Sequence, residues 1–309
     1  MIATQIALLK RELLEHRAIY VMPVVLGLIV CLTYITGQVT VSTFDQAVDL
    51  AILGATNMGE KERAVALSAG LVATSSFFVF PMLIFSIFYT LDSLYAERKD
   101  KSILFWRSLP VTDTETVMSK LVTVVLVVPL VTFVVIVITH LCVMIISSVW
   151  LGLRGADAWH LIWTAAPLFD NWAVTLIIFL AIPLWLAPFA GWFLFVSAFT
   201  KRSPLLVAFL PIVVLPLLEK IFFRSSLFAQ AIFERSAKMP LFGDLDTSKL
   251  LLRDKEEMHV LAESGIRLLS LVDLGGFLSS PGLWLGLVVC GLFTAAAIYV
   301  RRYRDETWI

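Results

Sequence analysis

Charged residues are scarce in this sequence: Asp, Glu, Lys and Arg make up only 16% of its 309 positions, against about 25% in soluble globular domains. The acidic and basic residues balance to a formal net charge of zero, so there is no global positive field to recruit nucleic acid. Cysteine is scarce too, and Cys31, Cys142 and Cys290 all lie in apolar runs, where a thiol behaves as a small hydrophobe. We therefore expect neither a disulfide framework nor a nucleic-acid partner.

The common catalytic motifs are also missing from the sequence. It has no G-x-x-x-x-G-K-[ST] loop to hold nucleotide phosphates, and no G-x-S-x-G, H-E-x-x-H or C-x-x-C. Glu256, Glu257 and His259 are close together in sequence, but a hydrophilic helix in an outer loop accounts for them, and we predict no metal site. The sequence thus predicts a chain that is not an enzyme and binds no cofactor itself.

Long apolar runs are what the sequence has in excess, with 59% hydrophobic residues and a mean hydropathy of +0.90. A helix needs about 20 predominantly apolar residues to cross a bilayer. The sequence therefore predicts an all-α polytopic membrane protein. The six predicted transmembrane helices lie at 18–36, 68–91, 117–149, 173–199, 204–223 and 281–300. The third run exceeds the length of a simple crossing, so we expect it to tilt or to project beyond the membrane.

Three residues inside the apolar runs are candidates for a substrate pathway. Pro183 and Pro188 each remove a helical hydrogen bond from the fourth run, which predicts a kink or a broken turn. A packing kink and a mobile hinge are the two interpretations. His140 is the one ionisable residue deep in an apolar run, and such residues often face a cavity or a partner. A neutral, hydrogen-bonded histidine is the alternative for His140.

Lys and Arg are concentrated in the connections that would share one side of the membrane. They precede the first span, separate the second from the third and the fourth from the fifth, and follow the sixth. Basic residues in short loops favour the cytoplasm, so we predict a multi-pass protein of the inner cell membrane with both termini cytoplasmic. The basic residues concerned are Lys10, Arg11, Arg17, Arg98, Lys99, Lys101, Arg107, Lys201, Arg202, Arg301, Arg302 and Arg304.

The segments outside the spans complete the predicted organisation. The first seventeen residues are amphipathic, with leucines beside charged neighbours, and predict an N-terminal helix in the membrane interface. Residues 224–280 form a long, charge-balanced connection that predicts a small extracytoplasmic helical subdomain. The chain is accordingly divided into 1–223 with the interfacial helix and five spans, 224–280 with the subdomain, and 281–309 with the sixth span and a cytoplasmic tail.

The connection at 92–116, between the second and third spans, contains a charged segment followed by an apolar one. Its sequence "ERKDKSILFWRSLP" begins with five consecutive charged residues and continues with an apolar segment. Glu97 and Lys101 have the spacing and order of a favourable helical pair, so the charged half is predicted to continue the second span into water. Thr112 and Glu115 match the capping box that begins a new helix.

The same stretch, read on to "VTDTETVMSK", resembles the intracellular loop of type 2 ATP-binding-cassette (ABC) exporter permeases. That loop runs Glu-Arg, a small hydroxyl residue, an apolar stretch, Leu-Pro-Val-[Ser/Thr] and later a Lys. The matching residues are Glu97, Arg98, Ser102, Leu109, Pro110, Val111, Thr112 and Lys120. Lys101 stands where the family usually has Gly. The link "FTKRSPLL" is similar to the family's second short loop, and six spans with a bulky outer segment extend the resemblance over almost the whole chain.

The resemblance implies a half-transporter. Two six-helix permeases, identical or related, would surround a pathway in membrane lipid, and each would dock onto a separate ABC ATPase subunit that carries ATP and Mg. The implied docking residues are Glu97, Arg98, Ile103, Leu104, Phe105, Trp106, Arg107, Lys201 and Arg202. Insertion of Phe105 and Trp106 into the lipid interface is the alternative for that pair. A secondary transporter and an intramembrane hydrolase are the alternative functions, although internal repeats, several intramembrane acids and a catalytic partner for His140 are not evident.

The distribution of basic residues predicts which side of the membrane each connection faces. A cysteine placed at Ser102 should react with a membrane-impermeant thiol reagent only from the cytoplasm, and one placed at Ser248 only from outside. Labelling of intact and of opened vesicles measures this. Reversed labelling would invalidate the predicted orientation together with the docking loop.

Overall fold

The computed structural model describes residues 2–41, 52–103, 108, 110–242 and 268–303. Regular secondary structure in these residues is helical throughout, with no strand, and six of the helices are long and apolar enough to cross a membrane. The predicted all-α polytopic fold is therefore confirmed for the part of the chain described.

The α-helices that lie wholly within the described residues are, in chain order, α1 (Ile2–Glu15), α2 (Ala18–Val41), α3 (Glu60–Lys99), α4 (Asp113–Val122), α5 (Val128–Leu153), α6 (Leu168–Trp185), α7 (Ala187–Phe199), α8 (Pro204–Phe223), α9 (Leu227–Ala237), α10 (Leu274–Ser279) and α11 (Pro281–Tyr303). A π-helical segment, Thr123–Val127, joins α4 to α5 in one continuous helix. The six candidate spans are α2, α3, the joined α4 and α5, α6, α8 and α11.

Helix α3 is longer than its apolar run predicted. It has 40 residues, and at a rise of about 1.5 Å per residue this gives a length of about 60 Å. The hydrocarbon core of a bilayer is only about 30 Å thick. The helix therefore extends the predicted span 68–91 at both ends, and its terminal turns lie beyond the apolar layer.

Proline accounts for both irregularities in the long apolar helices. The π-helical segment ends just before Pro129. A proline in a helix crowds the carbonyl four residues earlier, here that of Val125, and offers it no N–H, which accounts for the wider turn. The fourth apolar run is broken at Leu186, where α6 ends and α7 begins. Pro188 is tolerated there because the first N–H groups of a helix have no intrahelical acceptor. The predicted broken turn between Pro183 and Pro188 is confirmed.

A layer of fully buried apolar side chains holds the middle of the bundle together. Phe78 and Met82 of α3 contact Ile136 of α5 and Phe179 of α6, and Ile19 at the start of α2 joins the same cluster. Burying each side chain of this size contributes about 1.5–3 kcal/mol. The core thus joins four helices that are distant in sequence.

The described part of residues 224–280 consists of α9, the 3₁₀ turn Leu268–Leu271 and α10. Leu241, which is fully buried, packs with Trp185 and Phe277, so this region rests on the break between α6 and α7. The sites of Ser248, Glu256, Glu257 and His259 lie outside the described residues. The domain boundaries stay a prediction.

Helices α7 and α11 approach closely at Gly191. A Cβ atom at this position would lie 2.9 Å from the backbone oxygen and 3.0 Å from the Cα of Cys290. Small residues are common at such contacts in membranes, because they let two helix backbones meet. At Gly291, the next residue of α11, a Cβ atom would meet nothing within 4 Å among the described residues.

We expect Gly191→Ala to lower the free energy of unfolding by about 1–3 kcal/mol, because the added methyl group meets rigid backbone. Gly291→Ala is the matched control and should be neutral or slightly stabilising, since alanine is the better helix former. Thermal unfolding of the purified variants in detergent measures both. Equal melting temperatures for the two variants would contradict the close approach.

Candidate functional site at the charged end of the bundle

The helix ends that carry the basic segments lie together at one end of the bundle, which we call the charged end. It contains α1, the last turns of α3, helix α4, the end of α7 and the end of α11. Hydrogen bonds and ion pairs join all five: Arg11 to Glu97, Glu12 to Lys120, Arg98 to Thr200, and Arg301 to both Glu97 and Asp113. The structure therefore brings together the connections that the sequence assigned to one side.

Glu97, on the last turn of α3, is the centre of a buried ion network. Its Oε1 lies 3.0 Å from Nζ of Lys120 and 3.3 Å from Nη2 of Arg11, and its Oε2 lies 2.6 Å from Nη1 of Arg301. Only 7% of its side chain is exposed. The cations come from α4, α1 and α11, so one carboxylate fixes the ends of three other helices relative to α3.

Glu12 of α1 is a second buried carboxylate in this network. Lys120 donates to its Oε1 at 3.0 Å, and the hydroxyl of Tyr89 donates to its Oε2 at 2.7 Å. The nearby ring of His16 stacks edge-on against Tyr89, with a centroid separation of 5.0 Å. The N-terminal helix is thereby attached to α3 and α4 by charge and by packing.

Each buried acid of the network has a basic partner. Lys120 lies 3.0 Å from both Glu12 and Glu97, and Arg301 pairs with Glu97 and with the less buried Asp113. Arg11 binds Glu97 and also the exposed Glu15, at 2.9 Å. Burying an ion costs several kcal/mol unless partners compensate it, and these pairs compensate the two buried carboxylates.

Arg98 joins the two connections that the resemblance assigns to docking. Its guanidinium is buried and donates through Nη2 to the carbonyl of Thr200, at 2.8 Å, and to that of Ser197. These carbonyls belong to the last turn of α7, where acceptors lack intrahelical donors and the helix dipole favours a cation. Lys201 and Arg202 follow directly and are exposed.

The turn after α3 contains a left-handed backbone conformation, which glycine favours, at Lys101. Lys101 adopts a φ of 57°, and its N–H donates to the carbonyl of Arg98 at 3.1 Å. This left-handed residue after a helix end is most often glycine. Ser102 then donates its hydroxyl to the carbonyl of Glu97 at 3.3 Å. The departure from the exporter pattern at Lys101 therefore preserves a turn.

The predicted capping box at the start of α4 is confirmed. The backbone N–H of Glu115 donates to the hydroxyl oxygen of Thr112 at 3.2 Å, and the N–H of Thr112 donates to the Glu115 carboxylate at 3.0 Å. Between the two ends of the connection, Ser108 and Pro110 are exposed. Leu104, Phe105, Trp106, Arg107 and Leu109 lie outside the described residues.

One expectation for this connection is wrong in part. The second span does continue as a helix to Lys99, and Lys99, Asp100 and Lys101 are exposed as predicted. Glu97 and Arg98 are buried, however, and Glu97 pairs with side chains of other helices. Ile103 is also buried, with 1% exposure. These three predicted docking residues therefore contact their own chain and hold the connection, while Lys201 and Arg202 remain on the surface.

The candidate pathway residues do not converge on one site. His140 is fully buried, with its Nε2 at 3.4 Å from the Ser75 hydroxyl, which is itself 3.4 Å from the hydroxyl of Thr175. Pro188 instead lines a cavity between α7, α8, α9 and α11, and neither His140 nor Pro183 lines it. The sequence missed Ser75 as the partner of His140 because the two lie on different helices.

No protein-family model matches the chain, and comparisons with curated proteins and with solved structures give no significant match. The class of the protein is defined by its fold alone: it is a helical protein with six candidate membrane-spanning helices among its described residues.

We expect Lys120→Met to destabilise the fold by about 3–5 kcal/mol, because it leaves the carboxylates of Glu12 and Glu97 under-compensated in a buried site. Lys99→Met removes an exposed charge two residues from Glu97 and should change the free energy of unfolding by no more than about 0.5 kcal/mol. Thermal unfolding and the yield of monodisperse protein measure the difference.

A double variant tests whether charge balance is the cause. Adding Glu12→Gln to Lys120→Met removes one of the two carboxylates that the loss of Lys120 leaves under-compensated, so the double variant should be more stable than Lys120→Met alone. If the two changes were simply additive, Lys120 would contribute by packing rather than by compensating buried acids.

Proposed function

We propose that the chain is the membrane-spanning subunit of an ABC exporter, which docks a separate ATPase through the 92–116 connection and forms the substrate pathway as a dimer. One observation carries the proposal. Glu97, Arg98 and Lys120, which match the two ends of the exporter loop, are the buried residues that attach the connection to the rest of the bundle.

The way the 92–116 connection is attached to the bundle suits a segment on which a moving ATPase would push. Movement of the connection would be passed directly to α3 and α4, since it joins their ends. Glu97 ties the same point to α11 through Arg301, and Arg98 ties it to α7 through the carbonyls of its last turn. Closure of two ATPases on such a point would displace several spans as a unit, which is the rigid-body mode by which many transporters change state.

The surface around the connection also supports docking. Asp100, Lys101, Ser108 and Pro110 flank its apolar segment and are exposed, and so are Lys201 and Arg202 on the neighbouring link. Aromatic residues bordered by arginine are the types that most often carry interface energy, and "FWR" at 105–107 has this composition. In this proposal the partner ATPase binds ATP and Mg, the charged end faces the cytoplasm, and the second permease subunit is a copy or a relative of this chain.

The alternative functions have less support. An intramembrane hydrolase would need a nucleophile, a base and a group that orients the base. Ser75 and His140 are in contact, but the Ser75 hydroxyl also lies 3.0 Å from the carbonyl of Leu71, and Nδ1 of His140 has no hydrogen-bond partner among the described residues. A secondary transporter would place ion-coupling acids at membrane depth, whereas Glu12 and Glu97 lie at the charged end.

The proposal predicts that Phe105→Ala with Trp106→Ala weakens association with the ATPase by well over tenfold. Truncating one such anchor typically costs about 2 kcal/mol or more, and about 1.4 kcal/mol is a factor of ten. The measurement is the amount of ATPase, encoded beside this chain or supplied by co-expression, that is retained on the purified permease at matched expression.

Phe222→Ala with Phe223→Ala is the matched control, because these adjacent phenylalanines are 74% and 79% exposed at the far end of α8. The control should retain the ATPase. The lipid-anchor alternative predicts that both double variants retain the ATPase. Undiminished retention of the ATPase by the Phe105 and Trp106 variant would refute the docking proposal.

A further inference from the structure

A cavity of about 870 Å³ lies between α7, α8, α9 and α11, towards the end of the bundle opposite the charged end. Its size falls within the range of about 300–1,000 Å³ that is usual for small-molecule sites. Trp192, Pro211, Ile212, Val289 and Phe293 are among its lining residues. The walls are therefore mostly apolar, as a hydrocarbon ligand requires.

The cavity opens sideways between α8 and α11. Leu215 of α8 and Leu285 of α11 both line it, and they are 46% and 68% exposed. The exposed faces of these two helices are otherwise apolar, as expected of surfaces that face lipid. An acyl chain could enter from the bilayer without passing a polar surface.

One cation is fixed at the wall of this apolar space. The guanidinium of Arg235, on α9, lies 3.9 Å from the ring centroid of Trp185, and its Nε donates to the Trp185 carbonyl at 2.7 Å. Nη1 donates to the carbonyl of Gly282, and the indole N–H of Trp185 donates back to the Arg235 carbonyl at 2.7 Å. The guanidinium is thus held in one position by the break between α6 and α7 and by the start of α11.

Gly286 makes room for this arrangement. A Cβ atom at this position would collide with Nη2 of Arg235, so only glycine allows the guanidinium to lie against α11. Both Gly286 and Arg235 line the cavity. The side chain is therefore placed within reach of a molecule that fills the space.

The charge of Arg235 is not compensated by an acid among the described residues. All its bonded partners there are carbonyl groups, and Nη2 is buried with no hydrogen-bond partner in the described part of the chain. Burial lowers the pKa of the guanidinium below its ordinary value, as desolvation of a cation does. Glu234 and Lys238 also line the cavity, and with Arg235 they leave a net positive charge. Nη2 itself is covered by α11 at Gly286, so an anionic group would lie in the cavity beside the guanidinium and compensate its charge there.

We propose that this cavity binds an amphiphile with a hydrocarbon tail and an anionic head group, with the tail between α8 and α11 and an acidic oxygen of the head group on Arg235. The identification of this amphiphile as the exported cargo rests on the proposed function, whereas binding itself does not require the ATPase. A wholly apolar ligand would leave the guanidinium uncompensated, and a cationic one would be repelled by it.

The test measures binding of fluorescent phosphatidate to the purified full-length chain in neutral detergent, without ATPase. We expect saturable binding, with diacylglycerol of the same tails binding at least about tenfold more weakly, since it lacks the charge-assisted bond. Inorganic phosphate should not displace the probe at millimolar concentration. Displacement by phosphate would show a site for the free anion and would overturn the assignment of an amphiphile.

Two pairs of variants locate the site. Arg235→Gln should weaken phosphatidate binding at least about tenfold and leave diacylglycerol binding unchanged, whereas Arg235→Lys, which keeps the charge, should lose less. Leu285→Trp narrows the opening of the cavity and should weaken phosphatidate binding. Leu292→Trp is the control and should leave binding unchanged, because Leu292 does not line the cavity. It lies two turns further along α11 and is 66% exposed.

The outcomes separate this proposal from the proposed function. Equal binding of the charged and neutral lipids, or equal effects of Leu285→Trp and Leu292→Trp, would overturn the cavity site whatever the ATPase result. If Arg235→Gln does not fold, as judged by gel filtration, the lipid comparison on the unaltered protein and the leucine pair still decide. Specific phosphatidate binding by a permease that retains no ATPase would keep the site and refute export.

Discussion

Compensation of buried charge at the charged end is the constraint on which the arrangement of the helices depends. Glu97 can remain ionised in a buried position only when Lys120, Arg301 and Arg11 surround it, and these residues come from three other helices. An apolar core tolerates some sliding of one helix against another, whereas a displaced ion pair exposes an uncompensated charge to a medium of low dielectric. The ion network therefore selects one alignment of α1, α3, α4 and α11 among the many that hydrophobic burial alone would allow.

The two regions with proposed roles are connected by the same pair of helices. Helix α7 ends at the carbonyls that bind Arg98 and begins at the break beside the cavity, and α11 ends at Arg301 and carries Gly286 in the cavity wall. The close approach at Gly191 fixes α7 to α11 between these points. A displacement that starts at the 92–116 connection would therefore reach the cavity through two packed helices rather than through flexible loops.

The features that the sequence predicts correctly are those with a local signal. Apolar length found six spans, Thr112 and Glu115 identified a helix start, and Pro183 with Pro188 located the break at Leu186. The ion network had no such signal, because Arg11 and Arg301 lie 86 and 204 residues from Glu97 and no spacing rule relates them. The continuation of α3 to Lys99 was predicted, but the burial of Glu97 and Arg98 was not, because their partners lie on other helices. The cavity, which four separate helices form, had no sequence signal beyond Pro188.

The residues of the ion network are far apart in sequence, and this has a consequence for biosynthesis. Its members run from Arg11 to Arg301, so the last cation is added only when the sixth apolar helix has been made. Chains grow from the N-terminus at about 5–20 residues per second, and Glu97 and Lys120 emerge well before Arg301 exists. Until then Glu97 lacks one of its cations, and a chain that stops before α11 never acquires it. Completion of the network thus distinguishes a finished polypeptide from one that ends before α11, in which both Glu97 and Asp113 lack their pair with Arg301.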